Sequence, residues 1–393
     1  MDRPMWIADR TGGVSIVGMG QLPVQKENPK SLKEMGAEAA RLALADAGIE
    51  RVDALFVGNM LADELQGQKH IATLIASEAG LRGVEALQVR AATATGAAAL
   101  RMAYFAVASG EAHTAIALGV EKMSSHRDQV VPVLAKALDA ELETPTGATL
   151  LSHNALLMQM YLERYGVAIE DFNNFALNAH ANARHNPYAL FKEKRVTNRT
   201  IADSPIVSAP LRLYDAAPIC DGAAAVLLTR RNEARAFTDQ PVGILSSSVA
   251  TDWFRIDQRA DPLHLYAAAK SGHDAFRKAN VHRNDIDLFE VHDAFSIMTC
   301  LLLEAVGYAK PGEGWRMAAE NQIGLKGPLP ICTMGGLKAR GHPIGASAIY
   351  QTCEIVQQLT GRAGKNQVKN AQRALLQSVG GAGSTVLTHI FGV

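Results

Sequence analysis

The chain lacks most of the features that would narrow its class at once. It has four cysteines in 393 residues, and Cys220, Cys300, Cys332 and Cys353 lie far apart with no Cys-x-x-Cys spacing. That excludes a zinc cluster built from cysteines alone and fits reduced thiols in a cytoplasmic setting. It has no net charge, with 39 basic and 39 acidic residues, so nothing argues for bulk attraction to nucleic acid or an anionic membrane. No apolar run is long enough to span a bilayer. Its twelve histidines form no His-x-x-x-His pair on a convincing helix, so no metal is expected. Met1–Gly12 carries charges and no apolar stretch, so no secretory signal is expected there.

What is present is the balance of a globular protein, 48% hydrophobic and 20% charged. A chain of 393 residues exceeds one ordinary core, so two packed core units are expected. Apolar strands at Val14–Val17, Ala54–Val57, Leu87–Val89 and Thr114–Leu118 alternate with helical patterns at Ser31–Ala47, Lys69–Ala79 and Ala94–Ala108. This rhythm predicts an α/β fold with a mostly parallel sheet and helices on both faces. Residues 121–213 break the rhythm, and within them Asn186–Val207 reads as polar and irregular. The region is expected to lie over one end of the sheet, where substrate loops usually sit. The alternation then resumes as βαβα followed by ββ, ending in strands at Ala374–Ser378 and Ser384–Ile390. The expected units are 1–235, including the insertion, and 240–393.

The densest cluster of conformationally special residues is Gly335–Ser347, where His342 precedes Pro343 and a helical run, Ala346–Leu359. The glycines permit positive φ and close approach to a ligand, and proline stiffens the turn. A histidine held there, near the positive end of a helix, is kept neutral, as a general base requires. Three further segments could converge on it. Ala91–Gly96 joins a strand to a helix through small residues, and Thr93 is either an N-cap or a group facing a bound acyl oxygen. His292, after the strand Asp287–Glu290, is either structural or a hydrogen-bond donor to an oxyanion. Ser378–Gly383 is either a glycine hairpin or a turn whose N–H groups, Gly380 among them, form an oxyanion hole.

Together these segments resemble the thiolase superfamily over nearly the whole chain. Gly341-His342-Pro343-Ile344-Gly345 is similar to the family's Gly-His-Pro turn. His292-Asp293-Ala294-Phe295 resembles the corresponding motif of sterol-carrier-type and archaeal-type thiolases, and Gly119–Ser124 and Asp221–Val226 resemble further family segments. The resemblance implies a thiolase fold: two βαβαβαββ-like halves in a five-layer α-β-α-β-α sandwich, with a loop domain at about 121–213. It also implies a homodimer, coenzyme A thioesters as substrates, no permanently bound cofactor and a place in lipid metabolism.

The chain departs from the family where the chemistry is most demanding. Thr93 stands where the nucleophilic cysteine is expected, Ser378 and Ala294 where a second cysteine would be, and Cys332 where the family has asparagine. A thiol of pKa near ~8.5 becomes a thiolate at a helix N-terminus, whereas a threonine hydroxyl needs an aligned base and carries a methyl that stiffens χ1. The resemblance therefore implies an acyl-CoA acyltransferase with Thr93, His292, His342 and Gly380 as catalytic residues and impaired thiolysis. Cys332 either supplies the missing thiol or packs the core. One alternative is a nucleophile-independent lyase, by retro-aldol or decarboxylative cleavage, working with a small OB-fold and zinc-ribbon partner. Another is a non-catalytic subunit of a complex. Lys192, Lys194 and Arg195 are the candidate ligands of the nucleotide phosphates.

Overall fold

The structure, a computed structural model, describes residues 13–393, so the expectation about Met1–Gly12 lies outside the described residues. In chain order the first half holds β1 (Val14–Gln21), α1 (Leu32–Asp46), β2 (Ala54–Gly58), α2 (Ala62–Leu65), α3 (Ile71–Ala79), β3 (Glu85–Val89), α4 (Thr95–Ser109) and β4 (Thr114–Glu121). Next come α5 (Val130–Ala135), α6 (Leu150–Tyr165), α7 (Asn173–Ala183), α8 (Asn198–Ala202), β5 (Ile206–Ser208), β6 (Leu211–Arg212) and β7 (Gly222–Arg230). The second half holds β8 (Val242–Thr251), α9 (Tyr266–Ala279), β9 (Leu288–Glu290), α10 (Ser296–Val306), α11 (Gly314–Ala319), α12 (Ser347–Leu359), β10 (Arg373–Gly380) and β11 (Thr385–Gly392). Local chemistry sets many boundaries. Ser31 starts α1 by accepting from the Glu34 N–H while the Glu34 carboxylate accepts from the Ser31 N–H.

The strands run in the order β3-β2-β4-β7-β1-β8-β11-β10-β9. The sheet is mixed, not mostly parallel. Only β2–β3, β2–β4 and β9–β10 are parallel, and the other neighbours are antiparallel. Parallel pairs need a crossover connection, and β10 and β11 are joined by a tight turn that permits only an antiparallel pair. β10 and β11 form a hairpin, and β7 returns beside β4 after the long insertion. Within Asn186–Val207 the structure also has α8 and the start of β5, which the polar composition hid. Thr197 starts α8 by accepting from the Thr200 N–H, so a threonine cap substitutes for an apolar pattern there.

The strand order shows an internal repeat. β1, β2, β4 and β7 are neighbours in the same pattern as β8, β9, β10 and β11. Where β3 lies beside β2, the second half has a lone parallel bridge, Phe289 to Ile331, beside β9. The halves join through three residue pairs of β1 and β8. α4 and α12 lie between them: α4 touches β2 and β4 but also β8 and β11, and α12 touches β1, β4 and β7 but also β10. α1 and α3 cover the outer face of the first half, and α9, backed by α10, that of the second. This is the five-layer arrangement. Helices α6 and α7 of the insertion pack mainly into the second half's core, with Met158, Tyr161 and Phe175 against Ile297, Met298 and Leu301. No helix among the described residues is long and apolar enough to cross a membrane.

Candidate active site

The N-termini of α4 and α12, equivalent in the repeat, carry the two ends of the site. Before α4 the chain turns through Ala92, whose φ is +47. Thr95 locks this turn: its Oγ1 donates to the Ala92 carbonyl at 2.6 Å and accepts from the Ala91 N–H at 2.9 Å. Thr93 is thereby buried against the end of β10, where its Oγ1 donates to the Val379 carbonyl at 2.6 Å. Gly380 is close by, since a Cβ there would lie 2.7 Å from the Ala91 carbonyl oxygen.

Several contacts aim the turn before α12. Asn174, Asn178, Asn182 and Asn186, every fourth residue, donate their amides to the carbonyls of Ala318, Ile331, Cys332 and Met334 at 2.8–3.0 Å. The last three rungs hold residues 331–334, which lead into the turn, and the first ties the ladder to α11. Asp293 then accepts from the N–H groups of Leu337 and Lys338. Gly341 takes φ +114, a conformation that suits glycine alone. After Pro343 the backbone lies directly on β4: a Cβ at Gly119 would sit 2.4 Å from the Gly345 carbonyl oxygen. Glu121 secures this contact. Its fully buried carboxylate accepts from the Asn59 amide and the N–H groups of Met60, Leu61 and Gly345 at 2.8–3.1 Å. Burial pushes its pKa up to about 7 against the pull of these donors.

His342 and His292 face each other with ring centroids 5.4 Å apart and planes at 86°. His342 Nδ1 lies 2.6 Å from Ser347 Oγ, which itself lies 3.2 Å from the Pro343 carbonyl oxygen. A hydroxyl has one proton, and a carbonyl can only accept. Placing the hydroxyl proton on the Pro343 carbonyl makes Ser347 the acceptor of the His342 Nδ1–H and assigns the basic lone pair to Nε2. Burial first, then His292, Arg340 and Lys338, hold the His342 imidazolium well below its usual 6.5. Burial and Lys338 push His292 down to about 3. Lys338 is itself buried, donating Nζ to the Asp293 carbonyl at 2.8 Å and the Asp215 carbonyl at 3.2 Å. Both imidazoles are neutral at physiological pH.

Thr93, His292 and His342 line one cavity of about 420 Å³, whose lining also includes Val379 and Gly381. The three side chains singled out from far-separated segments thus meet, with Ala294 in the same wall. Other candidates lie apart. Cys332 is buried at φ +49 outside this lining, and burial raises its thiol pKa. Lys192, Lys194 and Arg195 are exposed and also outside it, and Lys194 sits over the Phe191 and Tyr214 rings. Local pattern alone does not single out Ser347, the Asn ladder, Lys338 or the acceptor role of Glu121. The fourfold asparagine spacing and a hydroxyl at the start of α12 were the available signals.

A five-layer α/β fold with paired neutral imidazoles at the meeting of two helix N-termini defines a class of acid–base site. Comparisons with known proteins agree. Residues 14–232 match the family described as "Thiolase, N-terminal domain", and residues 248–393 "Thiolase C-terminal domain-like". The chain is 40% identical to an acetyl-CoA acetyltransferase of Methanothermobacter thermautotrophicus, over 96% of this chain and 99% of that protein. It is 29% identical to human sterol carrier protein 2, over 95% of this chain and 71% of that one. The solved Ltp2-ChsH2(DUF35) aldolase shares the fold with a TM-score of 0.85 at 21% identity, covering 98% of each chain. The chain belongs to the thiolase superfamily.

Proposed function

We propose that this chain acts on coenzyme A thioesters as a thiolase-type acyltransferase, with His342 moving the proton at the carbon beside the thioester. The observation that carries this reading is the buried imidazole of His342, its Nδ1 2.6 Å from Ser347 Oγ, set beside a second buried imidazole in one cavity. Removing a proton next to a thioester carbonyl generates an enolate oxygen. His292 and the N–H groups of Thr93 and Gly380 are the proposed donors to it. The two archaeal relatives named acetyl-CoA acetyltransferase, 40% and 36% identical, support the acyltransferase class.

A second reading is favoured by Thr93 itself. Its hydroxyl proton is held by the Val379 carbonyl, not by a base, so it is a poor nucleophile. Retro-aldol cleavage needs none. The base takes the 3-hydroxyl proton of a 3-hydroxyacyl-CoA, the C2–C3 bond breaks, a carbonyl product leaves, and the enolate of the shorter thioester is reprotonated at C2. A small OB-fold and zinc-ribbon partner belongs with this reading, which the fold shared with an aldolase named for two components supports.

Intact-mass spectrometry with acyl-CoA, beside product analysis with 3-ketoacyl-CoA plus CoA and with 3-hydroxyacyl-CoA, separates the two. An adduct on Thr93 and thiolysis are expected for acyl transfer; aldehyde or ketone release without an adduct supports the lyase. Neither outcome would reject both and leave a non-catalytic subunit.

The division at 235–240, the loop domain at 121–213 and a cytoplasmic setting are part of the same reading. So is the homodimer, for which β3 is a sheet edge beside half-exposed Leu87, Met102 and Phe105. Sedimentation of the purified protein is expected to give twice the chain mass, and a monomer at micromolar concentration would reject the pairing.

A further inference from the structure

Arg340 is completely buried, and its guanidinium is spread over three partners. Nε donates to the Glu354 carboxylate at 3.0 Å, Nη1 to the Gly341 carbonyl at 2.7 Å and Nη2 to the Ser347 carbonyl at 3.4 Å. Its Cζ lies 4.8 Å from the centroid of the Tyr350 ring. Gly341 and Ser347 bracket His342. The first carries its backbone into the turn, and the second meets its Nδ1. Glu354 lies two turns beyond Ser347 on the same face of α12. The fork therefore ties the glycine turn before His342 to the first turn of α12 and fixes both to one helix face. Resting on His342 as the base in the reading above, we propose that Arg340 is a positioning residue. It sets the His342 ring against Ser347 and the cavity, and Glu354 holds the guanidinium in register.

Stability alone is a weak reason for such a pair. Taking a guanidinium and a carboxylate out of water costs about as much as their attraction returns, and apolar replacements of similar volume are often no less stable. What an apolar pair cannot supply is direction. A planar guanidinium aims several donors at fixed angles, whereas a lysine is a point charge on a flexible stem. Here one target is the carbonyl of a glycine at φ +114, in a segment where Gly335, Gly336, Gly341 and Gly345 bring no side chains to hold the backbone. Removing the fork takes its donor from that buried carbonyl, and the turn that carries His342 must shift to find another.

Two readouts on the full-length protein test this. The first is proton exchange in deuterium oxide with acetyl-CoA or octanoyl-CoA, where the base removes a C2 proton and a deuteron is returned. The double variant Arg340→Met/Glu354→Leu removes both charges and leaves neither unpaired. Folded by circular dichroism, it is expected to exchange at least about 10-fold more slowly at saturation, with half-saturation changed by less than about twofold, as for a displaced base and not a lost binding contact. The second readout is the ring ¹⁵N spectrum of His342, assigned by its absence in His342→Asn. The wild type is expected to show one neutral tautomer, and the double variant the averaged signals of a ring exchanging between two. Arg340→Lys keeps the charge beside Glu354, serves where the double variant does not fold, and is expected to change both readouts in the same direction. A wild-type rate or a wild-type ring spectrum in a folded variant would overturn the proposal. Where the wild type itself exchanges neither ester, the coenzyme A reading fails and the ring spectrum alone decides the role of Arg340.

Discussion

Alanine at His342 is expected to lower kcat/KM on the chain's coenzyme A substrate by about 10²–10⁴-fold, the range for losing a general base. The effect follows from position. The ring lies in the cavity that also holds His292 and Thr93, with its Nδ1 against Ser347 Oγ. Steady-state kinetics check it, with His342→Asn as a second variant that retains polarity but cannot take the proton. The pH profile of the wild type carries a related expectation. A base whose pKa is depressed below 6.5 stays unprotonated as pH falls through 6.5, so activity lost on acidification is lost below that value. An acid limb centred at or above 6.5 would mean that the imidazole is more solvated than its burial implies. Undiminished turnover in both variants would remove His342 from the chemistry.

Cysteine at Thr93 is expected to raise acyl-enzyme formation by at least about 10²-fold, because a thiolate is far more nucleophilic than a neutral hydroxyl. The site suits a thiolate: the position precedes the N-terminus of α4, the cavity is shared with His342, and the lost methyl relieves a stiff side chain. The cost is the hydrogen bond to Val379, about 1 kcal/mol of stability. Intact-mass measurement after mixing with acyl-CoA reads the first half-reaction directly. Gain in complete thiolysis is expected to be smaller, since Ser378 and Ala294 stand where a second thiol is expected and supply none. No adduct in the folded variant would show that the defect extends beyond the missing sulfur.

The alternation of strands and helices was legible because core-facing residues repeat with the period of each element. Ser31, the run of alanines in α4 and the apolar β10 were readable alone. The direction of the strands was not, because a single strand's residues do not show which way its neighbour runs. The central place of α12 was also hidden. All of its residues from Ser347 to Leu359 are buried, yet it contains glutamines, threonines and a glutamate. They are accommodated by partners remote in the chain: Gln351 donates to the Val291 carbonyl and Glu354 accepts from Arg340 at 3.0 Å, both buried. A polar residue reads as surface until its partner is known.

For the site, sequence alone determined the parts: two histidines beside turn residues, a threonine at a strand-to-helix junction, glycines where backbone must touch backbone. Such residues declare their constraints locally, through φ, side-chain size and acidity. Only the tertiary structure decided that Thr93, His292 and His342 share a cavity while Cys332 and Lys194 do not. It also decided that the hydroxyl of Thr93 is bound to a carbonyl. Convergence depends on the packing of two halves around α4 and α12, and that packing is set by contacts between residues hundreds of positions apart, which no local pattern encodes.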